Sequence, residues 1–454
     1  MMKRNSILIL LFFCFSYLSS QELSEAKLIS KNGNNKLDIP FQKWELPNGL
    51  TLLIHEDHSD PIVQVHVTYH VGSSRESPGK SGFAHLFEHL MFGGSRHVPQ
   101  FDEPLQRVGG DNNAFTSNDI TNYYITLPAV NLETAFWLES DRMLSLSFDP
   151  KVLEVQRSVV IEEFKQRYLN QPYGDAWLKL RPLAYKEHPY RWATIGKEIA
   201  HIEQATMADV KEFFYTYYLP NNAVLVVAGD VSLVEVQRLA EKWFGPIPAG
   251  AEVKRNIPPE PVQSEYRQLE VEENVPVDAL YMTFHMPGRT DPQYHATDLL
   301  SDVLGRGKSS RLYQQLLQKK RIFNSISAHV SGSVDPGLLV IEGKLNGGHS
   351  IEEGEEAIWN LIEDFKQHEL GKAEVEKVKN KAESTLVFSE LELLNRAMNL
   401  AYAEMLGDAN LVNQEREMIR KVRPEDIQRQ AEHLLVRENA SVLRYKSNQL
   451  SNEN

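Results

Sequence analysis

Apolar residues alternate or run together in a few stretches of this chain, and each stretch predicts an element. From Ile62 to Val71 the residues are β-branched and partly alternating, which predicts a strand leading through Gly72 into a turn. Turn formers crowd the stretch Ser77-Pro78-Gly79-Lys80-Ser81-Gly82. An apolar run follows at Phe83, Ala84, Leu86, Phe87, Leu90, Met91 and Phe92, and Gly93-Gly94 ends it. The spacing predicts a short buried helix packed on that sheet. Residues 156–165 repeat with helical period, with Val159, Val160 and Phe164 apolar and acidic residues between them. Asn113 to Ser117, followed by Thr121 to Tyr124, reads as a hairpin strand. The runs Ala223 to Ala228 and Ala440 to Tyr445 predict buried strands. Between these parts, Phe244-Gly245-Pro246-Ile247-Pro248-Ala249-Gly250 continues into Pro258-Pro259-Glu260-Pro261. Such a segment breaks both helices and ladders, so residues 246–262 form a linker between parts of similar size, 40–245 and 263–448. Each part starts with strands, continues through amphipathic helices and ends on an apolar strand.

Composition changes this picture only at its ends. With 454 residues, 42% hydrophobic and 24% charged, the chain can bury two or more cores and is not low-complexity. Lys3 and Arg4, the apolar run Ile7 to Phe15 and the small residues Ser16, Ser19 and Ser20 predict a secretory signal peptide over residues 1–20. That run is too short for a membrane span, so the expectation is export to the periplasm or cell envelope. The one cysteine, Cys14, lies inside it, which leaves the mature chain without disulfides or thiolate ligands. Its phenylalanine neighbours disfavour a lipoprotein cleavage site. Removing Lys3 and Arg4 moves the formal net charge from −14 to −16, 46 basic against 62 acidic side chains, which argues against nucleic acid as a partner. The polar tail 451–454 is expected to fray.

The chemistry concentrates at His85-Leu86-Phe87-Glu88-His89. Positions i, i+3 and i+4 share one helical face, so His85 and His89 can chelate one ion while Glu88 stands beside it. A zinc ion held by three protein ligands keeps a fourth position for water and lowers its pKa to about 7. A neighbouring non-ligand carboxylate, here Glu88, then takes the proton as general base. The third ligand has to come from elsewhere, and the helix at 156–165 offers Glu162 and Glu163.

Taken together, these segments resemble the pitrilysin, insulin-degrading enzyme and mitochondrial processing peptidase family of zinc metallopeptidases. The resemblance extends over nearly the whole mature chain. It includes residues 170–174, His188-Pro189-Tyr190 and the stretch from Tyr218 to Asp230. In that family a Val-Val-x-x-Glu helix supplies the third ligand, which the resemblance puts at Glu163, with Glu162 as the fallback. It also implies that the strand carrying Asn113 and Ala114 binds the substrate backbone by strand addition. The implied fold is α+β, with two related domains, each an antiparallel-rich sheet covered by helices on one face, and dimers of such chains enclosing a chamber. The implied reaction is hydrolysis of short or unfolded peptides, with one Zn2+ per chain.

Two departures qualify the resemblance. Seven residues before the third ligand the family usually carries a second glutamate, and this chain has Gln156, a neutral amide that cannot exchange a proton. In the second part, the family's arginine and tyrosine positions align with Leu317 and Asn324, which cannot stabilise an oxyanion. A chain with ligands but without that pair reads as the catalytic subunit of a heterodimer whose paralogous partner supplies Arg and Tyr. The competing reading is a non-enzymatic assembly or peptide-binding subunit that keeps the fold. Leu304 to Ser309 fails the phosphate-loop pattern because position 302 is Asp302, and reads as a glycine-rich turn. His55, His58, His66 and His70 read as surface or satisfied histidines.

Overall fold

The run Ala223 to Ala228 is apolar at every position, so a strand formed from it needs cover on both faces. The computed structural model describes residues 26–33 and 37–448. The signal segment 1–20, Cys14 and the tail 451–454 lie outside the described residues. Seven strands form the first sheet: β1 (Lys27–Asn32), β2 (Phe41–Glu45), β3 (Thr51–Glu56), β4 (Ile62–Tyr69), β5 (Asp111–Thr116), β6 (Thr121–Pro128) and β7 (Ala223–Gly229). Their order is β1-β2-β3-β7-β4-β6-β5, which buries β7 centrally and leaves β5 at an edge. Five more form the second sheet: β8 (Arg267–Glu273), β9 (Ala279–His285), β10 (Phe323–Ser331), β11 (Leu338–Leu345) and β12 (Ala440–Ser447), in the order β10-β11-β9-β12-β8. Each sheet is antiparallel except for one parallel pair, β3–β7 and β12–β8, and each parallel pair contains the last strand of its half.

The helices that position the site are α1 (Phe83–Leu90), α2 (Leu132–Leu144), α3 (Pro150–Phe164), α4 (Ala176–Ala184) and α5 (Leu233–Trp243) from the first half. From the second come α6 (Tyr294–Gly305), α7 (Ile351–Gln367), α8 (Leu393–Met405) and α9 (Pro424–Leu434). Side chains of α1, α2, α3 and α5 join Val63, Val65 and Val67 of β4 and Leu225 and Val227 of β7 in the first core. Those of α6, α7 and α9 join Leu280, Met282 and Phe284 of β9 in the second. The chain is thus α+β, with a helical layer on each sheet.

The opposite faces carry an arrangement absent from the sequence reading. On β7, Val224, Val226 and Ala228 point away from the first core and pack on Ala397, Leu400 and Ala401 of α8, a helix from the second half. On the second sheet, Ala279 and Tyr281 of β9 and Leu443 and Tyr445 of β12 pack on Ala176 and Leu180 of α4, a helix from the first half. Each half therefore lends one helix to the other's sheet. A polar junction accompanies this exchange. Tyr190 donates its hydroxyl hydrogen to Asp119 at 2.7 Å, while Asp335 binds Arg255 through two contacts of 2.8 and 2.6 Å and lies 2.9 Å from His188 Nε2. The His188-Pro189-Tyr190 segment is accounted for by this seam.

Candidate metal centre

Helix α1 buries Phe83, Ala84, Leu86, Phe87 and Leu90 and turns His85, Glu88 and His89 outward. Its first turn has no side-chain cap of its own, because Gly82 precedes it with φ +82°. That left-handed conformation, and a Cβ that would come within 2.5 Å of the Ile195 carbonyl oxygen, require glycine there. The missing cap comes from Glu76. Its carboxylate accepts the Gly82 N–H at 2.9 Å and the Ala84 N–H at 2.8 Å, which satisfies donors that a helix start leaves free. Burial nevertheless pushes Glu76 up to about 8, against the pull of those amides.

Helix α3 starts on Pro150, with Asp149 accepting the Lys151 N–H, and carries Glu163 in its last turn. The next turn, Lys165–Leu169, widens into a π-helix that brings Arg167 back to Glu163. The two Glu163 oxygens divide their roles: Oε1 meets the Arg167 guanidinium at 2.9 Å, and Oε2 lies 3.6 Å from both His85 Nε2 and His89 Nε2. Among the described residues this is the one group of three or more His, Cys, Asp or Glu ligand atoms that converge, all within 4.8 Å of one another. Glu162, the fallback, points to solvent and pairs with Lys165 at 2.7 Å. Tetrahedral zinc with bonds of about 2.1 Å separates its ligand atoms by about 3.4 Å, so the Oε2–Nε2 distances suit that ion.

Protonation suits it too. Burial, then the neighbouring His89 and Arg167 charges, pushes His85 down to about 3, and burial lowers His89, so both rings are neutral and present lone pairs. Burial, reinforced by the nearby Glu163 charge, raises Glu88 to about 6 even though Thr116 donates a 2.5 Å hydrogen bond to its Oε2. Gln156 hydrogen-bonds His89, so the amide that cannot exchange protons still orients a ring. The buried His85 Nδ1 has no such partner among the described residues.

Strand β5 pairs with β6 on one side only, Asn113 opposite Tyr124 and Ala114 opposite Tyr123. On its free side the Ala114 N–H is taken by the Asn113 side-chain oxygen at 2.8 Å, a bond that an incoming strand would replace. Leu317 packs against the second core, and Asn324 donates to the Leu345 carbonyl oxygen at 3.0 Å, so neither offers a cation or phenol. His55 lies 2.6 Å from the Pro40 carbonyl oxygen and His58 2.6 Å from Asp230. His66 is fully buried against Tyr124, and His70 is held down to about 4 by burial. Gly305 ends α6, and the following glycine-rich segment is a turn.

Sequence reasoning missed Glu76, Thr116 and Arg167. Only Glu76 had a usable signal, a carboxylate just before a helix whose N-cap is glycine.

Two imidazoles and a carboxylate that could hold a metal ion thus lie beside a second, protonatable carboxylate, next to an edge strand. Residues 51–184 match the profile described as insulinase (peptidase family M16), and residues 204–382 that described as peptidase M16 inactive domain. The chain belongs to the insulinase family, peptidase family M16. It is 33% identical over 340 residues to the zinc protease PqqE of Helicobacter pylori, covering 74% of this chain and 76% of that protein. The crystal structure of a protease from Helicobacter pylori superimposes with a TM-score of 0.85 at 29% identity, over 89% of this chain and 99% of that one. The mitochondrial-processing peptidase subunit beta of Blastocladiella emersonii is 24% identical over 329 residues, 70% of each chain. No helix among the described residues is long and apolar enough to cross a membrane.

Proposed function

We propose that this chain is an exported zinc endopeptidase that takes a short or unfolded peptide as an added strand on β5 and hydrolyses it with Glu88 as general base. The observation that carries the reading is the convergence of His85, His89 and Glu163 on one point, with Glu88 on the same helical face and not among the ligands. Those three side chains would hold one zinc ion. When bound, it would supply Lewis acidity toward a water and the scissile carbonyl.

The remaining steps belong to the protein. Asn113 and Ala114 would hold the peptide backbone in register, with the Ala114 N–H passing from the Asn113 side chain to a substrate carbonyl. Glu88, its carboxylate fixed by Thr116, would accept a proton from the attacking water and deliver it to the leaving amine. Arg167, bonded to the far oxygen of Glu163, would hold that carboxylate turned toward the imidazoles.

Leu317, packed against the second core, and Asn324, bonded to the Leu345 carbonyl, supply neither the cation nor the phenol of those two positions, which favours pairing with a paralogous subunit that supplies arginine and tyrosine. The name of the Blastocladiella relative, a subunit, is in keeping with such an assembly. The same two residues, with Gln156, support a second reading, a non-enzymatic assembly or peptide-binding subunit. One experiment separates the two. Purified under native conditions with any companion chain, the protein should bind one zinc per chain and hydrolyse peptides, and Glu88→Gln should abolish hydrolysis while keeping the metal. Hydrolysis unchanged in Glu88→Gln would refute the assigned base, and stoichiometric zinc with no hydrolysis would favour the second reading.

A further inference from the structure

A cavity of about 490 Å³ opens where β5 ends. Phe115 and Thr116 form one wall, Arg181 of α4 another, and Tyr402 of α8 together with Ser333, which follows β10, closes it from the second half. The cavity lies on the face of the first sheet that α8 covers, opposite α1, and meets the proposed reaction centre at the end of β5, where Thr116 both borders it and donates to Glu88. A peptide laid along β5 runs toward it.

The charges on its walls are unequal in what they are free to do. Asp119 is committed, accepting the Tyr190 hydroxyl and the Val334 N–H. Arg181 is not. Its guanidinium donates one hydrogen bond, from Nη1 to the Tyr190 carbonyl oxygen at 3.1 Å, and sits 5.5 Å from the Trp177 ring. It makes no ion pair with any carboxylate among the described residues, and the ionisable neighbours that favour its charge are Tyr185, Tyr168 and Tyr190. Arg142, Arg255 and Arg289 each pair with a carboxylate, whereas Arg75 and Arg267, like Arg181, donate to backbone carbonyl oxygens. Taking a guanidinium out of water without a counter-ion is costly, and its planar fork fits a carboxylate in two-point contact.

We propose that Arg181 is a specificity-determining residue that receives a carboxylate of the bound peptide in this cavity, making acidic or carboxyl-terminal segments the preferred substrate class. The inference rests on the peptide-binding part of the function proposed above. The carboxylate has two possible sources, an acidic side chain or the peptide's own C-terminus, and both meet the same fork.

The test uses zinc-loaded, full-length protein carrying Glu88→Gln, so that binding is read without turnover. Fluorescent peptides are compared in pairs, Glu against Gln at each position in turn and free against amidated C-terminus. With Arg181 present, the charged member of one pair should bind about tenfold tighter or more, and which pair responds identifies the source. Arg181→Met should bring that ratio to about one, and Arg181→Lys should retain part of it. Equal binding of both members in every pair would overturn the proposal and leave the peptidase reading standing. A ratio that survives in Arg181→Met would do the same, and failure to bind any peptide would remove both. If circular dichroism shows Arg181→Met to be unfolded, the paired peptides on the chain that keeps Arg181 and on the Arg181→Lys variant decide alone.

Discussion

Removing Glu76 tests how the metal-bearing helix is held. In Glu76→Ala two buried amides, those of Gly82 and Ala84, lose their acceptor at the start of α1. An orphaned buried donor costs about 1–3 kcal/mol, so the pair costs about 2–6 kcal/mol. For a cooperative unit of about 420 residues, whose unfolding entropy is about 0.9 kcal/mol/K, that lowers the melting temperature by roughly 2–7 °C. A second variant, Glu76→Gln, separates geometry from charge. Glu76 sits at about 8 in the folded chain against the ordinary carboxylate range when unfolded. Between about pH 5 and 8 the folded protein therefore keeps a proton that the unfolded chain has released. Stability is fully present below the unfolded value and falls as pH rises through the folded one, by up to about 1.4 kcal/mol per unit. Glutamine has no such proton, so the stability advantage of the wild-type chain over Glu76→Gln should shrink steadily from about pH 5.5 to 8.5. Urea unfolding of metal-free protein at several pH values measures this without coupling to metal binding. A loss below about 1 kcal/mol in Glu76→Ala, or a wild-type to glutamine gap that is flat with pH, would refute the reasoning.

Three further outcomes follow from the geometry. Glu163→Gln keeps the side-chain shape but removes the charge facing both imidazoles, and should weaken zinc binding by about 100-fold or more in a chelator competition, while Glu162→Gln should change it less than about twofold; equal effects would exclude the assignment of Glu163. Gln156→Leu removes the partner of His89 and should cost about 10- to 100-fold in zinc affinity, with an unaltered dissociation constant counting against an orienting role. Glu139→Ala strands the guanidinium of Arg142, whose side chain is 1% exposed, and should destabilise the fold by about 3–5 kcal/mol in urea unfolding. A loss under about 1 kcal/mol would show that the Phe101 and Tyr123 rings, each 4.4 Å from the Arg142 guanidinium, suffice.

The sequence exposed the parts of this site that depend on local periodicity. His85, Glu88 and His89 share a face because helix geometry places them so, and the glycines and turn formers around them bound the helix closely. The third carboxylate needed more, since Glu162 and Glu163 are equivalent to a periodicity argument. What separates them is the direction α3 takes toward α1, a tertiary fact. Glu76 and Thr116 act through contacts set by a turn and a neighbouring strand, which spacing does not encode. The exchange of α4 and α8 was illegible for a related reason. An amphipathic stripe shows that a helix covers something apolar, but both sheets offer the same apolar face.

That exchange also bears on how the polypeptide can be assembled. Once Gly229 has been made, the first sheet has all its strands, yet Val224, Val226 and Ala228 stay bare until residues 393–405 arrive. The second sheet, by contrast, finds its covering helix already waiting. Folding in order of synthesis is therefore asymmetric: the leading half is left with a sticky surface for as long as most of the trailing half takes to emerge, and an isolated leading half would be prone to self-association.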